Sequence, residues 1–240
     1  MLLKACLNGS RSREEHPAVP LTPEEIAREG AAAAAAGAGA LHVHPRGPDG
    51  RETLEASVCG AVVEAVRESC PGVPVGLSTG QWIVGGTEAR LEAISRWELQ
   101  PDFVSVNVYE DGVAELCDLL DARGVRLEAG LATSLDVARM PHVEWLRVLV
   151  EVEERKADRA VACAAAVEAA LDEAGMTAPQ LHHGEGPPTW AVLARAMERG
   201  HDVRIGLEDT LVLPDGGRAR DNAELVAAAV RLNRELRSAG

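Results

Sequence analysis

The stretch Asp202-Val203-Arg204-Ile205-Gly206-Leu207-Glu208-Asp209 decides how this chain is read. Successive side chains of a strand point to opposite faces, so Val203, Ile205 and Leu207 share one face and Arg204, Gly206 and Glu208 the other. Phe103 to Tyr109 splits the same way, with Val104, Val106 and Val108 opposite Ser105, Asn107 and Tyr109. Ala40 to His44 separates Leu41 and Val43 from His42 and His44. The apolar face of each strand must pack on something, and the Ala- and Glu-rich stretches between strands have the helical character to cover it. The polar face is then left pointing inward, into a barrel whose strand ends carry chemistry.

Outward from that stretch, short apolar runs alternate with longer amphipathic ones in eight pairs. The expected strands are Leu2 to Asn8, Ala40 to His44, Pro74 to Ser78, Phe103 to Tyr109, Arg126 to Leu131, Leu146 to Val152, Gln180 to Gly184 and Asp202 to Glu208. Thr22-Pro23-Glu24-Glu25 reads as a helix start, with an N-cap, a proline in the first turn and two acids at the positive end. The alanine run Ala31 to Ala36 lies within that helix, and a last helix runs from about Asp221 to Arg237. Strict alternation implies a parallel sheet, and eight repeats in 240 residues predict an α/β fold of the (β/α)8 TIM-barrel type, a single domain over residues 1–240. No glycine-rich dinucleotide loop follows the first strand, which argues against an open doubly wound sheet.

Composition narrows the function. With 24 Lys plus Arg against 38 Asp plus Glu the formal charge is −14, so phosphate backbones and anionic membranes repel the chain on average. Four Trp, one Tyr and one Phe are too few for nucleic-acid stacking platforms, so no nucleic-acid partner is expected. No apolar run reaches the ~18 residues of a membrane span and no signal-peptide core opens the chain, so a soluble protein is expected. Cys6, Cys59, Cys70, Cys117 and Cys163 are odd in number and widely spaced, which reads as reduced thiols in a cytoplasmic protein.

His42-Val43-His44 presents two imidazoles on one inward face at a strand end, and Glu208 brings a carboxylate to the matching end of the last strand. Two His and one Glu leave a coordination position open, as catalytic zinc requires, although the same donors suit iron, nickel, cobalt or manganese. His182 is inward by parity; His183, His142, His16 and His201 read as surface or packing residues. The turn Gly184-Glu185-Gly186-Pro187-Pro188-Thr189 reads either as a chain reversal or as an anion cradle at a helix start.

Taken together, Asn8-Gly9, Pro20 to Glu25, Leu41-His42-Val43-His44-Pro45-Arg46 with Asp49-Gly50-Arg51, Leu77-Ser78-Thr79-Gly80, Arg204 to Asp209 and Asp221 to Val226 resemble the β-keto acid cleavage enzymes. The resemblance runs from first strand to last helix and implies a zinc-binding (β/α)8 barrel. It carries the zinc ligands onto His42, His44 and Glu208, and the catalytic arginine and aspartate onto Arg204 and Asp209. It further implies active-site roles for Ser78, for Ser105 in place of a family threonine, and for Asn107. Arg11 stands where the aminohexanoate-cleaving members have a glutamate for the substrate's amine, which points instead to a substrate with a distal carboxylate. The chain is also shorter than many relatives after strands five and six.

What the family implies is conversion of a β-keto acid and acetyl-CoA into acetoacetate and a new acyl-CoA by a retro-Claisen step. Asp209, oriented by Arg204 and Ser78, would be the base; an aspartate beside an arginine stays ionised. No enzyme nucleophile is needed, so all five cysteines read as packing residues. Arg204 and Asp209 also fit a structural ion pair, Ser78 a helix cap, Ser105 and Asn107 barrel filling, and Arg11 a solvated loop. Two other functions fit the same residues: a metal-dependent aldolase or decarboxylase that needs no coenzyme A, and a metabolite-binding barrel without turnover. A Schiff-base aldolase is disfavoured because Lys4 lies early on strand one and Lys156 beyond strand six. A homo-oligomer is the expected assembly.

Overall fold

In the computed structural model, which describes residues 1–239, eight parallel strands close into one barrel in sequence order. They are β1 (Leu3–Cys6), β2 (Ala40–Val43), β3 (Val75–Ser78), β4 (Phe103–Asn107), β5 (Arg126–Leu131), β6 (Trp145–Val152), β7 (Gln180–Gly184) and β8 (Asp202–Ile205). Seven α-helices cover them: α1 (Pro23–Ala36), α2 (Ala56–Ser69), α3 (Thr87–Ser95), α4 (Val113–Asp121), α5 (Ala157–Glu173), α6 (Thr189–Glu198) and α7 (Asn222–Ala239). The expected (β/α)8 barrel is therefore present, with one abbreviation. Between β5 and β6 the crossover is a 3₁₀ turn, Ser134–Arg139, opened by a capping box of Thr133 and Asp136.

The local sequence explains these bounds. Thr22 and Glu25 form the capping box of α1, Pro23 fills its first turn, and Gly37 at φ 122° ends it. Val203, Ile205, Val104 and Val106 are fully buried under the helices, as their parity demands. β8 stops at Ile205, three residues short of the expected Glu208. Gly206 lets the backbone press against β1, where a Cβ would lie 1.8 Å from the Cys6 carbonyl oxygen. The chain turns there, so Glu208 enters the barrel mouth from a turn; its amide donates to Cys6 O at 3.3 Å.

The barrel floor is ionic. Lys4 Nζ lies 2.6 Å from Glu128 Oε2, and Arg147 pairs with Glu128 Oε1 at 3.0 Å. The Phe103 ring is 5.6 Å from Lys4 Nζ and 5.7 Å from the Arg147 guanidinium carbon, and it occupies the space above Gly76. Lys4 is thus sealed beneath the mouth with an anion of its own, which excludes it as a Schiff-base lysine on geometric grounds.

β7 departs from the expected parity of His182. In β7 it is Leu181 and His183 that share the interior register, because His182 pairs with outward Val150 and Val203 while His183 pairs with inward Glu151. His182 packs outside, stacked on His201 with centroids 4.5 Å apart and bonded to Gln180 Oε1 at 3.0 Å. Beside it Glu168 is held by Arg195, Arg199 and His201. This polar pocket under α5 and α6 gives His182 Nε2 a partner and leaves Nδ1 buried without one. His16 is also a packing residue, bonded through Nε2 to Ala219 O at 2.8 Å, and His142 is exposed. Cys6, Cys59, Cys70 and Cys117 are buried free thiols and Cys163 is an exposed one. No described helix is long and apolar enough to cross a membrane.

Candidate active site

At the C-terminal ends of the strands lies a cavity of about 530 Å³. It is lined by every residue that the sequence singles out as a site residue: His42, His44, Glu208, Arg204, Asp209, Ser78, Ser105, Asn107 and Arg11. The two imidazoles face one another, Nε2 to Nε2 at 3.1 Å, with the rings near perpendicular. Glu208 Oε2 lies 3.9 Å from His42 Nε2 and 3.6 Å from His44 Nε2. Two nitrogens each about 2.05 Å from one ion at a tetrahedral angle sit roughly 3.3 Å apart, so this triangle has the dimensions of a zinc ligand set. Glu208 Oε2 is buried and without a hydrogen-bond partner, which leaves its lone pairs aimed at the point where the three groups converge. The residues therefore fit a divalent cation.

Neighbouring elements aim the three ligands. Asn8, at the end of β1, accepts the His44 amide at 2.9 Å and donates to the His44 and Pro20 carbonyls at 2.9 and 3.1 Å. Gly9, at φ 53°, makes room for Glu208, whose Cγ would lie 2.4 Å from a Cβ there. Arg46 ties the β1 loop down by donating to the Gly9 and Arg11 carbonyls. His44 Nδ1 bonds to Glu52, which also accepts from Trp82 Nε1 at 3.2 Å. A carboxylate on the far ring nitrogen fixes the tautomer that leaves Nε2 free as a ligand.

The electrostatics agree with this use. Burial pushes the pKa of His42 well below its usual value, so the ring is neutral and its lone pair available. Burial also opposes charge on His44, but Glu208 and Glu52 outweigh it and raise its pKa to about 9, so a cation at this position displaces a proton. For Glu208 burial is outweighed by Arg204, His44 and His42, which hold its carboxyl well below the usual range.

Beside the triad stands the second group. Arg204 donates to Glu208 Oε1 at 2.7 Å and to Asp209 Oδ1 through Nε and a terminal nitrogen at 3.0 and 2.8 Å. Asp209 Oδ2 is buried without a partner. The expected contact of Ser78 with Asp209 is not made; Ser78 Oγ accepts the Gly80 amide at 3.4 Å, and His183 occupies the second position on Asp209. Asn107 donates to Glu110 Oε1 at 3.1 Å, while Ser105 presents its side chain to the cavity. Arg11 spans the rim, bonded to Glu208 O at 3.2 Å and paired with Glu15 at 2.9 Å. In the turn after β7 the amides of Glu185, Gly186 and Thr189 donate to Val152 O, Asp209 O and Gly186 O, as a chain reversal requires.

Sequence reading missed Glu52, Trp82, Glu151 and His183, all of which line the cavity. Glu151 carries a readable signal, a lone acid between Val150 and Val152 on a parallel strand. His183 becomes legible only once β7 is registered against β6. Glu52 lies in an irregular hairpin closed by an Arg46–Glu52 bridge, for which side-chain periodicity offers nothing.

The sequence profile described as beta-keto acid cleavage enzyme matches residues 1–163 and 159–239. The chain belongs to the β-keto acid cleavage enzyme family. It is 30% identical over 253 aligned residues to the 3-keto-5-aminohexanoate cleavage enzyme of Fusobacterium nucleatum subsp. nucleatum, covering 98% of this chain and 92% of that one. A 3-oxoadipate:acetyl-CoA acetyltransferase of Cupriavidus necator is 32% identical over 106 residues, 44% of this chain and 36% of that protein. Among solved structures, apo ObcA superimposes with a TM-score of 0.71 at 18% identity over 91% of this chain and 63% of the ObcA chain, a likeness of fold.

Proposed function

We propose that this member of the β-keto acid cleavage enzyme family is a zinc-dependent acyltransferase that converts a β-keto acid and acetyl-CoA into acetoacetate and a new acyl-CoA. The observation that carries the reading is the convergence, in one cavity, of a three-ligand cation site and an arginine-held aspartate whose outer oxygen has no partner. A divalent cation held by His42, His44 and Glu208 supplies, when bound, the Lewis acidity that favours the enolate of a β-keto acid.

The chain's own residues do the rest. Asp209 Oδ2 takes the C2 proton, while Arg204 holds the same carboxylate through Oδ1. The enolate carbon attacks the acetyl carbonyl and the CoA thiolate leaves; the thiolate then adds to the substrate ketone, the carbon–carbon bond breaks, and Asp209 returns its proton to the departing acetoacetate carbanion. Ser78, Ser105 and Asn107 line the wall that holds the substrate, and Arg11 at the rim receives a distal carboxylate. No enzyme nucleophile takes part: Cys6, inside the barrel, has its thiol pKa pushed well up by burial. Room for the carrier lies beyond Trp82, where a second cavity of about 1060 Å³ shares Ser10, Arg11, Glu52 and Trp82 with the first. The reading includes a cytoplasmic homo-oligomer, supported by the unpaired thiols and by the family resemblance.

The test is a panel of β-keto acids offered to zinc-loaded protein with and without acetyl-CoA, reading acetoacetate and acyl-CoA. Acetoacetate formed only with acetyl-CoA supports the proposal. Turnover without acetyl-CoA supports the aldolase or decarboxylase reading instead, and binding with no product supports the metabolite-binding barrel.

A further inference from the structure

His183 is a buried imidazole at the cavity wall that the reaction above does not use. Its Nδ1 lies 3.3 Å from Asp209 Oδ1 and its Nε2 3.5 Å from Glu151 Oε1, ion-pair distances at which neither nitrogen makes a hydrogen bond. Glu151 also lies 4.0 Å from an Arg204 nitrogen, and it fits because Gly130 lacks a Cβ, which would come within 3.0 Å of Oε2. A ring set between two carboxylates satisfies both only with a proton on each nitrogen. Burial and Arg204 oppose that charge, but Asp209 and Glu151 outweigh them and raise the pKa of His183. Arg204 reaches Glu208 and Asp209 through the same terminal nitrogen, so it divides its hold between the metal-ligand candidate and the base.

We propose that His183, braced by Glu151, is a positioning residue for Asp209. Opposite Arg204 it flanks Oδ1 from a second strand, which limits rotation of the carboxylate and turns Oδ2 towards the substrate carbon. The inference rests on the assignment of Asp209 as the base. It adds no covalent step: the proton still passes from C2 to Oδ2 and back.

The experiment has a structural and a kinetic arm. Crystal structures of the wild type and of His183→Leu are compared at Asp209: a carboxylate turned away from its wild-type orientation is expected, and an unmoved one overturns the proposal. In the kinetic arm, a misplacement of about 1 Å costs on the order of 10²-fold, so kcat of His183→Leu falls by that factor with KM within about threefold. The isotope effect of a C2-deuterated substrate rises as proton removal slows. His183→Asn, whose amide can donate near the Nδ1 position, recovers most of the loss, and Glu151→Gln shows a smaller defect of the same kind. Unchanged kcat, or a loss confined to KM, overturns the proposal. Should His183→Leu not fold, His183→Asn and Glu151→Gln take both arms. A wild type that makes no acetoacetate defeats the proposed reaction, and the Asp209 comparison still decides this point.

Discussion

Glu128→Gln is the sharpest test of how this barrel is held together. Glu128 is the shared anion of Lys4 and Arg147, and none of the three side chains is more than 12% exposed. The substitution keeps size and shape but leaves two cations facing each other and the Phe103 ring in a closed floor. Breaking a buried pair by removing one partner costs about 3–5 kcal/mol, because the remaining charge has no water to return to. For a chain of this length about 1 kcal/mol corresponds to roughly 2–4 °C, so Tm should fall by about 6–20 °C. Lys4→Met leaves the Glu128–Arg147 pair intact and should cost less. Replacing all three charges with apolar groups of similar volume should recover most of the loss. Differential scanning calorimetry with urea titration reads all three variants. A Glu128→Gln loss under about 1 kcal/mol, or a larger loss for Lys4→Met, would refute the reasoning.

The remaining predictions concern the outer cluster and the mouth. Burial opposes ionisation of Glu168, but His201, Arg195 and Arg199 bring its pKa from 4.5 to about 2. A depressed folded pKa gives stability that is present above the unfolded value and lost as pH falls through the folded one. The Tm advantage of wild type over Glu168→Gln should therefore be full above about pH 4.5 and shrink towards pH 2, where a constant gap would contradict it. Glu52→Gln trades a charged acceptor on His44 Nδ1 for a neutral one and should weaken zinc affinity about 10-fold in chelator competition, with Glu52→Ala nearer 100-fold. Arg11→Glu should shift the preference from acidic towards cationic β-keto acids; an unchanged ratio of kcat/KM values refutes its role at the rim.

The fold was legible because burial on both sides of a parallel strand is uneven here. Outward Val104, Val106, Val203 and Ile205 alternate with inward Ser105, Asn107 and Arg204, and that pattern identifies both the barrel and the faces that carry chemistry. His42, His44 and Glu208 came with it, although Glu208 reaches the mouth from a turn and not from the strand that parity assumed. β7 failed the same rule because Gln180-Leu181-His182-His183-Gly184 has polar residues on both faces, and only the ladder with β6 separates them. The supports of the site were least visible. Glu52 meets His44 through an irregular loop, and the clamp on Asp209 joins residues of β6, β7 and the turn after β8. Such meetings depend on register and loop path, which local periodicity does not encode.

The proposed chemistry turns on the cation. Elemental analysis of dialysed protein, beside His42→Ala and His44→Ala variants whose circular dichroism matches wild type, tests it directly. The expected result is about one tightly held divalent ion per chain in the wild type and nearly none in either variant. A folded wild type that retains no divalent ion after zinc loading, or variants that retain as much as wild type, would contradict it.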